Sequence, residues 1–192
     1  MSNKLVINVF GGPGIGKTTV AAELFTALKQ KGVDTAIVPE FATDVIFEGR
    51  PDALKHQWYV VANQAYRIWC GYNTMQVVVT DSPILLGPIY DVDASPALLA
   101  LCLEQHHKYN NLNLVLTRRP ELEHNMIGRV HSLTESVSID NRIVSMLEDN
   151  NIPFLNYDEY GTERILQLIL RQIKHTSKSV ESVELYIVDG RT

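Results

Sequence analysis

The sequence predicts an α/β fold, in which a five-stranded parallel sheet carries helices on both faces. Two observations lead to this prediction. Short apolar segments rich in β-branched residues alternate with longer segments of helical periodicity, the pattern of a parallel sheet covered by helices. A glycine-rich loop also joins the first apolar segment to the first helical one. The strands are expected at residues 4–10, 35–39, 75–80, 112–117 and 153–157.

Caps and turn residues delimit the helices between these strands. Gly32 stands where the first helix would end. Ser95 followed by Pro96 is typical of a helix start. Ser132 with Glu135 matches a capping box, which predicts a helix that reaches residue 148. The other helices are expected at residues 19–31, 52–72, 96–109 and 162–174, with a short helix or turn at residues 41–47.

Composition indicates one globular domain with a tail. The chain has 192 residues, of which 45% are hydrophobic and 20% charged, so it can bury a sizeable core. We expect the domain at residues 1–175 and the tail at residues 176–192. Residues 183–188 of the tail have the apolar pattern of an edge strand, which would extend the sheet or pair with a second copy in a homo-oligomer.

Charge and cysteine content exclude several classes of protein. No apolar run approaches the length of a membrane span, and the first such run ends at the glycine loop, unlike a signal peptide. Cys70 and Cys102 lie in apolar helical segments, where we expect buried thiols and a cytoplasmic location. The net charge of −5, without a basic stripe, argues against duplex nucleic acid as a partner.

The glycine-rich loop is the most informative motif of the chain. Its residues match G-x-x-x-x-G-K-[ST], the phosphate-binding loop of P-loop NTPases, after a strand and before a helix. Backbone N–H groups and the helix N-terminus would hold the phosphates of ATP. Lys17 would reach the β- and γ-phosphates, and Thr18 would bind Mg²⁺. The predicted nucleotide-binding residues are Gly11, Gly12, Pro13, Gly14, Ile15, Gly16, Lys17, Thr18 and Thr19.

The loop alone does not distinguish kinases, GTPases and motor ATPases, but three features narrow the choice. No Asn-Lys-x-Asp or Thr-Lys-x-Asp follows the fourth strand, so the usual guanine-reading element is missing. Asp81 ends the third strand, where it can hold Mg²⁺ through water, and Ser82 replaces the Glu that a motor ATPase uses to activate water. Glu40 follows the second strand at the carboxyl edge of the sheet, where ligands bind in open α/β folds.

Three short tracts resemble a known group. Residues 40–42 (Glu-Phe-Ala), 80–83 (Thr-Asp-Ser-Pro) and 148–154 are similar to the ribosylnicotinamide-kinase-like branch of P-loop ATPases, which includes the kinase domain of bacterial NAD-biosynthesis regulators and many phage ATPases or kinases. The resemblance runs over about residues 4–174. It implies a nucleoside-kinase core, a lid after the fourth strand and phosphoryl transfer to a small nucleoside-like acceptor. It also implies that Glu40 is the base, a role that Asp81 could share.

Further residues are candidates for contacts with the substrates. Arginine suits a clamp on the transferred phosphoryl group, and the predicted lid, residues 118–133, and the helix after it supply four. We rank Arg129 first and Arg119 second, ahead of Arg118 and Arg142. Gln57, Gln64 and Arg67 recur on one side of the long helix and could read a base or carboxamide, or simply form a solvated face. The aromatic residues of that helix are expected in the core rather than as a stacking platform: Trp58, Tyr66, Trp69 and Tyr72.

The sequence therefore predicts an ATP- and Mg²⁺-dependent kinase of a nucleoside-like molecule, and two alternatives stay open. The acceptor could be a nucleoside monophosphate or a polynucleotide 5′ end. Such an acceptor needs extra cations, which Arg50, Lys55 and Arg67 could supply. The chain could also be a nucleotide-binding switch or regulatory protein without turnover.

Overall fold

The structure is a computed structural model that describes residues 4–118 and 133–177. Several expectations lie outside these residues. They concern the body of the predicted lid with Arg119 and Arg129, the capping residue Ser132, and the predicted edge strand of the tail.

The predicted five-stranded parallel sheet is confirmed. Its strand order is β2-β3-β1-β4-β5, and every neighbouring pair is parallel. The last strand is shorter than expected, with two residues in the ladder. The strands are β1 (Leu5–Phe10), β2 (Thr35–Val38), β3 (Val77–Thr80), β4 (Asn111–Val115) and β5 (Leu155–Asn156).

The described residues also form seven α-helices and two 3₁₀ turns. The predicted helix at residues 52–72 is two elements, because His56 leaves the helical region (φ −99°, ψ 79°) between a 3₁₀ turn and α3. The last helix starts earlier than expected and is interrupted at Gly161 (φ 68°, ψ 166°). The helices are α1 (Lys17–Gln30), α2 (Phe41–Phe47), α3 (Gln57–Thr74), α4 (Gly87–Tyr90), α5 (Pro96–His106), α6 (Leu133–Asp149) and α7 (Tyr157–Ser177), and the 3₁₀ turns are Pro51–Lys55 and Ile84–Leu86.

Helices cover both faces of the sheet. All six residues of β1 are buried, so its side chains alternate between two cores. Leu5, Ile7 and Val9 pack with α1 and α7 on one face. Val6 packs with α3, and Phe10 packs with α3, α5 and α6 on the other. A central strand buried on both sides explains the continuous apolar run in the sequence.

Two of the predicted caps, at Gly32 and Ser95, lie within the described residues, and both form as expected. Gly32 adopts φ +78°, and Val33 N donates to Leu28 O at 3.1 Å, which closes the last turn of α1. Ser95 Oγ accepts from Leu98 N at 3.3 Å and caps α5. Both cysteines are free thiols. Among the described residues, no helix has the length and apolar character needed to cross a bilayer.

The expectation that the aromatic residues of α3 lie in the core is wrong for three of them. Trp58, Tyr66 and Trp69 are 65%, 64% and 51% exposed. The inward stripe of α3 consists of other residues at helical spacing: Val61, Gln64, Ile68 and Gly71. Tyr72 is half-buried, and its ring packs against that of Tyr109 at 4.7 Å.

Candidate functional site

The phosphate loop lies at the carboxyl edge of the sheet, between β1 and α1. Gly11, Gly14 and Gly16 adopt φ of +151°, +72° and +105°, which side chains strongly disfavour. Gly16 immediately precedes the first residue of α1. The helix therefore begins at the end of the loop, and the unpaired N–H groups of its first turn lie next to the loop. The loop therefore offers the backbone donors and the dipole that phosphate groups require.

Lys17 is the first residue of α1 and folds back over the loop. Its Nζ donates to Gly12 O at 3.0 Å. Burial lowers the pKa of Lys17, and the carboxylates of Glu40, Asp81 and Asp140 oppose this shift. Carboxylates from three separate elements thus surround the ammonium group, which holds the charge where phosphates would bind.

Thr18 and Asp81, the two predicted metal-binding residues, meet in the structure. Thr18 Oγ1 donates to Asp81 Oδ2 at 2.6 Å. Asp81 is 6% exposed, and its Oδ1 is buried with no hydrogen-bond partner among the residues that the structure describes. A hydroxyl beside a carboxylate with an unsatisfied oxygen is the donor set that Mg²⁺ prefers. These residues fit the ion.

Glu40 stands between β2 and α2, on the same edge of the sheet. Its Oε2 accepts from Thr43 Oγ1 at 3.0 Å, which leaves the other oxygen out of this bond. Tyr90 of α4 is close enough for the charges of Glu40 and Asp140 to act on it. Burial, with these charges, raises the pKa of Tyr90 to about 12. Sequence reasoning missed Tyr90, which no motif marks.

Gln64 links the strand ends that carry Glu40 and Asp81. Its Oε1 accepts from Phe41 N at 2.9 Å, and its Nε2 donates to Thr80 Oγ1 at 3.2 Å. The side chain is 2% exposed. Its carboxamide is therefore buried and bonded to the chain, and it joins the residue after Glu40 to the end of β3. A substrate contact for Gln64 stays a prediction.

The other predicted substrate residues also contact the chain itself. Arg67 pairs with Asp44 of α2, and its guanidinium lies over the ring of Phe41 at 4.8 Å. Gln57 Nε2 donates to Leu54 O at 2.8 Å. A substrate role for these two residues stays a prediction.

A second cluster lies on the other side of the phosphate loop. Arg118, just after β4, donates from Nε to Asp140 Oδ2 at 2.8 Å and from Nη2 to Pro13 O at 3.1 Å. Gly12 N donates to Asp140 Oδ1 at 2.6 Å. Arg142 points elsewhere in the described structure, with Nη2 donating to Ile89 O at 2.6 Å. Arg118, ranked behind Arg129 and Arg119, is the candidate clamp that the structure places at the loop.

A cavity of about 1120 Å³ opens beside the phosphate loop, large enough for a nucleotide. We call it the loop cavity. The glycines of the loop, the first turns of α1, the end of β4, α6 and the start of α7 enclose it. Thr117 N donates to Asp158 Oδ2 at 2.7 Å on its far wall.

Comparison with known proteins assigns the chain to a family. A family model described as an AAA domain matches residues 6–164. The chain belongs to this AAA-domain family. The match covers most of the described elements, from β1 to α7. No curated protein matches the chain.

Solved structures show the same fold at low sequence identity. A crystal structure of NadR protein in complex with NR aligns with a TM-score of 0.66 at 15% identity, over 96% of this chain and 54% of that one. A deoxyadenosine kinase from M. mycoides, with products dCMP and dCDP bound, aligns with a TM-score of 0.53 at 17% identity, over 88% of this chain and 99% of the kinase. This chain thus spans about half of the NadR chain. The likeness establishes a P-loop kinase-like fold.

Proposed function

We propose that this protein is an ATP-dependent kinase that transfers the γ-phosphoryl group to a hydroxyl of a nucleoside-like molecule. One observation carries the proposal. Lys17, the Thr18–Asp81 pair and Glu40 converge at one edge of the sheet, around a loop shaped for phosphates. Two solved structures of the same fold, a NadR protein in complex with NR and a deoxyadenosine kinase, support a nucleoside acceptor.

Each residue then has a defined part in the transfer. ATP bound with Mg²⁺ supplies the phosphoryl group. The loop N–H groups and Lys17 hold the phosphates and offset their charge, and Thr18 and Asp81 hold the ion. Glu40 accepts the proton of the acceptor hydroxyl while the hydroxyl oxygen forms a bond to the γ-phosphorus. The bond from that phosphorus to the β–γ bridging oxygen breaks, and ADP leaves with the electron pair.

Ion pairs on the acceptor side favour a nucleoside over a nucleotide. A phosphorylated acceptor would need Arg50, Lys55 or Arg67 to bind its phosphate. Each of these cations already pairs with a neighbouring carboxylate. The partners are Glu48, Asp52 and Asp44, in that order. The Arg50 and Lys55 pairs are exposed and cost little to break, so the less exposed Arg67–Asp44 pair is the one of the three that disfavours a phosphorylated acceptor.

A screen of acceptors with γ-labelled ATP tests the proposal. Ribonucleosides, deoxynucleosides and nicotinamide riboside form one set, and nucleoside monophosphates and 5′-hydroxyl oligonucleotides form the other. We expect Mg²⁺-dependent label transfer to a member of the first set. Transfer to the second set alone would favour the phosphorylated or polynucleotide acceptor. Tight ATP binding without transfer to either would favour the non-catalytic switch.

We also infer a cytoplasmic location, supported by two free thiols, one of which is buried. Assembly through the tail stays a prediction, since residues 178–192 lie outside the described structure.

A further inference from the structure

Helix α6 contacts the phosphate loop directly, at Gly12. A Cβ atom built on Gly12 would lie 2.8 Å from Ser136 O and 2.6 Å from Asp140 Oδ1. Both distances are shorter than real Cβ atoms show, and one of the contacts is to rigid helix backbone. Glycine at this position therefore permits the approach of α6, which no sequence motif predicts.

Asp140 uses both carboxylate oxygens to join separate parts of the site. Oδ1 accepts from Gly12 N at 2.6 Å, and Oδ2 accepts from Arg118 Nε at 2.8 Å. Arg118 returns to the loop through Pro13 O at 3.1 Å, which closes a ring of contacts. The two side chains are 16% and 18% exposed, so solvent screens this pair less than a surface pair. Removing either partner would leave the other charge largely buried.

Arg118 is oriented toward the region where phosphates would bind. It lines the loop cavity together with Gly14, Gly16 and Thr19. Its charge is also near enough to Lys17 to lower the pKa of that ammonium group. A long arginine side chain loses conformational entropy when it binds a ligand. A hydrogen-bonded partner that already orients the side chain reduces the entropy lost on binding.

We propose that Asp140 is a positioning residue, which holds Arg118 and the phosphate loop in one arrangement so that the guanidinium meets the phosphates of the nucleotide. This role rests on the proposed function for its catalytic consequence, while its effect on nucleotide binding does not require transfer. Asp140 does not itself contact the reacting atoms in this arrangement. It acts through Arg118, a residue at the start of the predicted lid.

Asp140→Asn separates the two contacts of the carboxylate. Asparagine keeps an oxygen that can accept from Gly12 N but presents an N–H₂ group, a donor, to Arg118. We expect the Kd for MgATP, measured by titration calorimetry, to rise about tenfold, the factor that one charge-assisted hydrogen bond contributes. The rate of phosphoryl transfer should fall by at least the same factor. Asp149→Asn, the same exchange at an exposed position of α6, is the matched control and should change neither value.

A double-mutant cycle distinguishes positioning from a merely structural role. Arg118→Ala should weaken MgATP binding by a similar factor, and adding Asp140→Asn to it should cause little further loss. Arg118→Lys should recover part of the affinity when Asp140 is present and none when it is replaced. Melting curves of every variant verify folding, and the comparison of Arg118→Ala with Arg118→Lys serves if the asparagine variant does not fold.

Several outcomes would overturn the role of Asp140. One is a folded Asp140→Asn variant that binds MgATP as tightly as the unchanged chain. Another is a double variant whose loss of MgATP affinity equals the product of the separate losses caused by Asp140→Asn and Arg118→Ala. A chain that binds no MgATP would overturn this inference and the kinase proposal together. A chain that binds MgATP but phosphorylates no acceptor would refute the kinase alone, because the binding cycle still judges Asp140.

Discussion

The two flanks of the phosphate loop differ in how their charges are arranged. Toward β3 and β2, Glu40 and Asp81 face the single ammonium of Lys17, so carboxylates are in excess there. Toward β4 and α6, Arg118 and Asp140 form a closed pair. An excess of carboxylates can bind a cation or accept a proton. An arginine that is already paired with a carboxylate is instead held in one orientation toward a ligand. If the proposed function holds, we expect the chemistry of transfer on the first flank and the alignment of the nucleotide on the second.

Removing the ammonium of the first flank should have the largest effect. In Lys17→Ala, we expect transfer to fall by about 10³-fold, because a positioned cation at the developing charge contributes on that order. The fold should survive, since the bond of Nζ to Gly12 O is the hydrogen bond that the described structure assigns to this side chain. Turnover and thermal melting are measured on the same preparation. Near-native turnover in the folded variant would remove the kinase proposal.

Neutralising the carboxylates of that flank one at a time should identify the base. Glu40→Gln keeps the shape of the side chain, and we expect turnover to fall about 10²-fold with little change in ATP affinity. Asp81→Asn should instead raise the Mg²⁺ concentration needed for activity. A larger loss for Asp81→Asn at saturating Mg²⁺, with a mild Glu40→Gln, would assign the base to Asp81.

Loosening the spacing of the two carboxylates should have a smaller effect. Gln64→Leu leaves the buried Phe41 N without its acceptor and removes one of the two donors to Thr80 Oγ1, which costs about 1–3 kcal/mol of unfolding free energy. We expect turnover to fall about tenfold, because the strand ends are no longer held in register. Gln167→Leu, an exposed position of α7, is the control. Equal unfolding free energies for the two variants would contradict a linking role for Gln64.

Truncation after His175 should change turnover less than any of these substitutions, because the residues of both flanks precede residue 175. We expect turnover within about twofold of the full chain, the range of ordinary surface changes. Assembly or solubility should change if the tail forms an edge strand. Light scattering beside the kinase assay measures both. A soluble truncated chain of unchanged assembly but without activity would place the tail in the active site.

The same comparison explains what the sequence could predict. The sheet, the loop, Asp81 and Glu40 lie on strands or directly after them, so a local pattern sets their place at one edge. The partners Thr18 and Asp81 were predicted together for this reason, and the structure brings them within hydrogen-bond distance. Whether they bind Mg²⁺ stays a prediction.

Positions set by packing between distant segments were not predictable. Asp140 reaches Gly12 across 128 positions of the chain, and only the seating of α6 brings them together. The prediction of which residues of α3 face the core is wrong for a related reason. Its aromatic residues are more apolar than Gln64, yet the sheet edge needs the amide oxygen of Gln64 to accept from Phe41 N, a buried backbone donor.

The outward face of α3 has a practical consequence for spectroscopy. Trp58 and Trp69 are the two tryptophans of the chain, and both lie on the solvent side of this one helix. Intrinsic tryptophan emission therefore reports the surroundings of α3 alone. A ligand that binds at the phosphate loop and leaves α3 in place is silent in this signal, and quenching or a spectral shift marks an event on that helix.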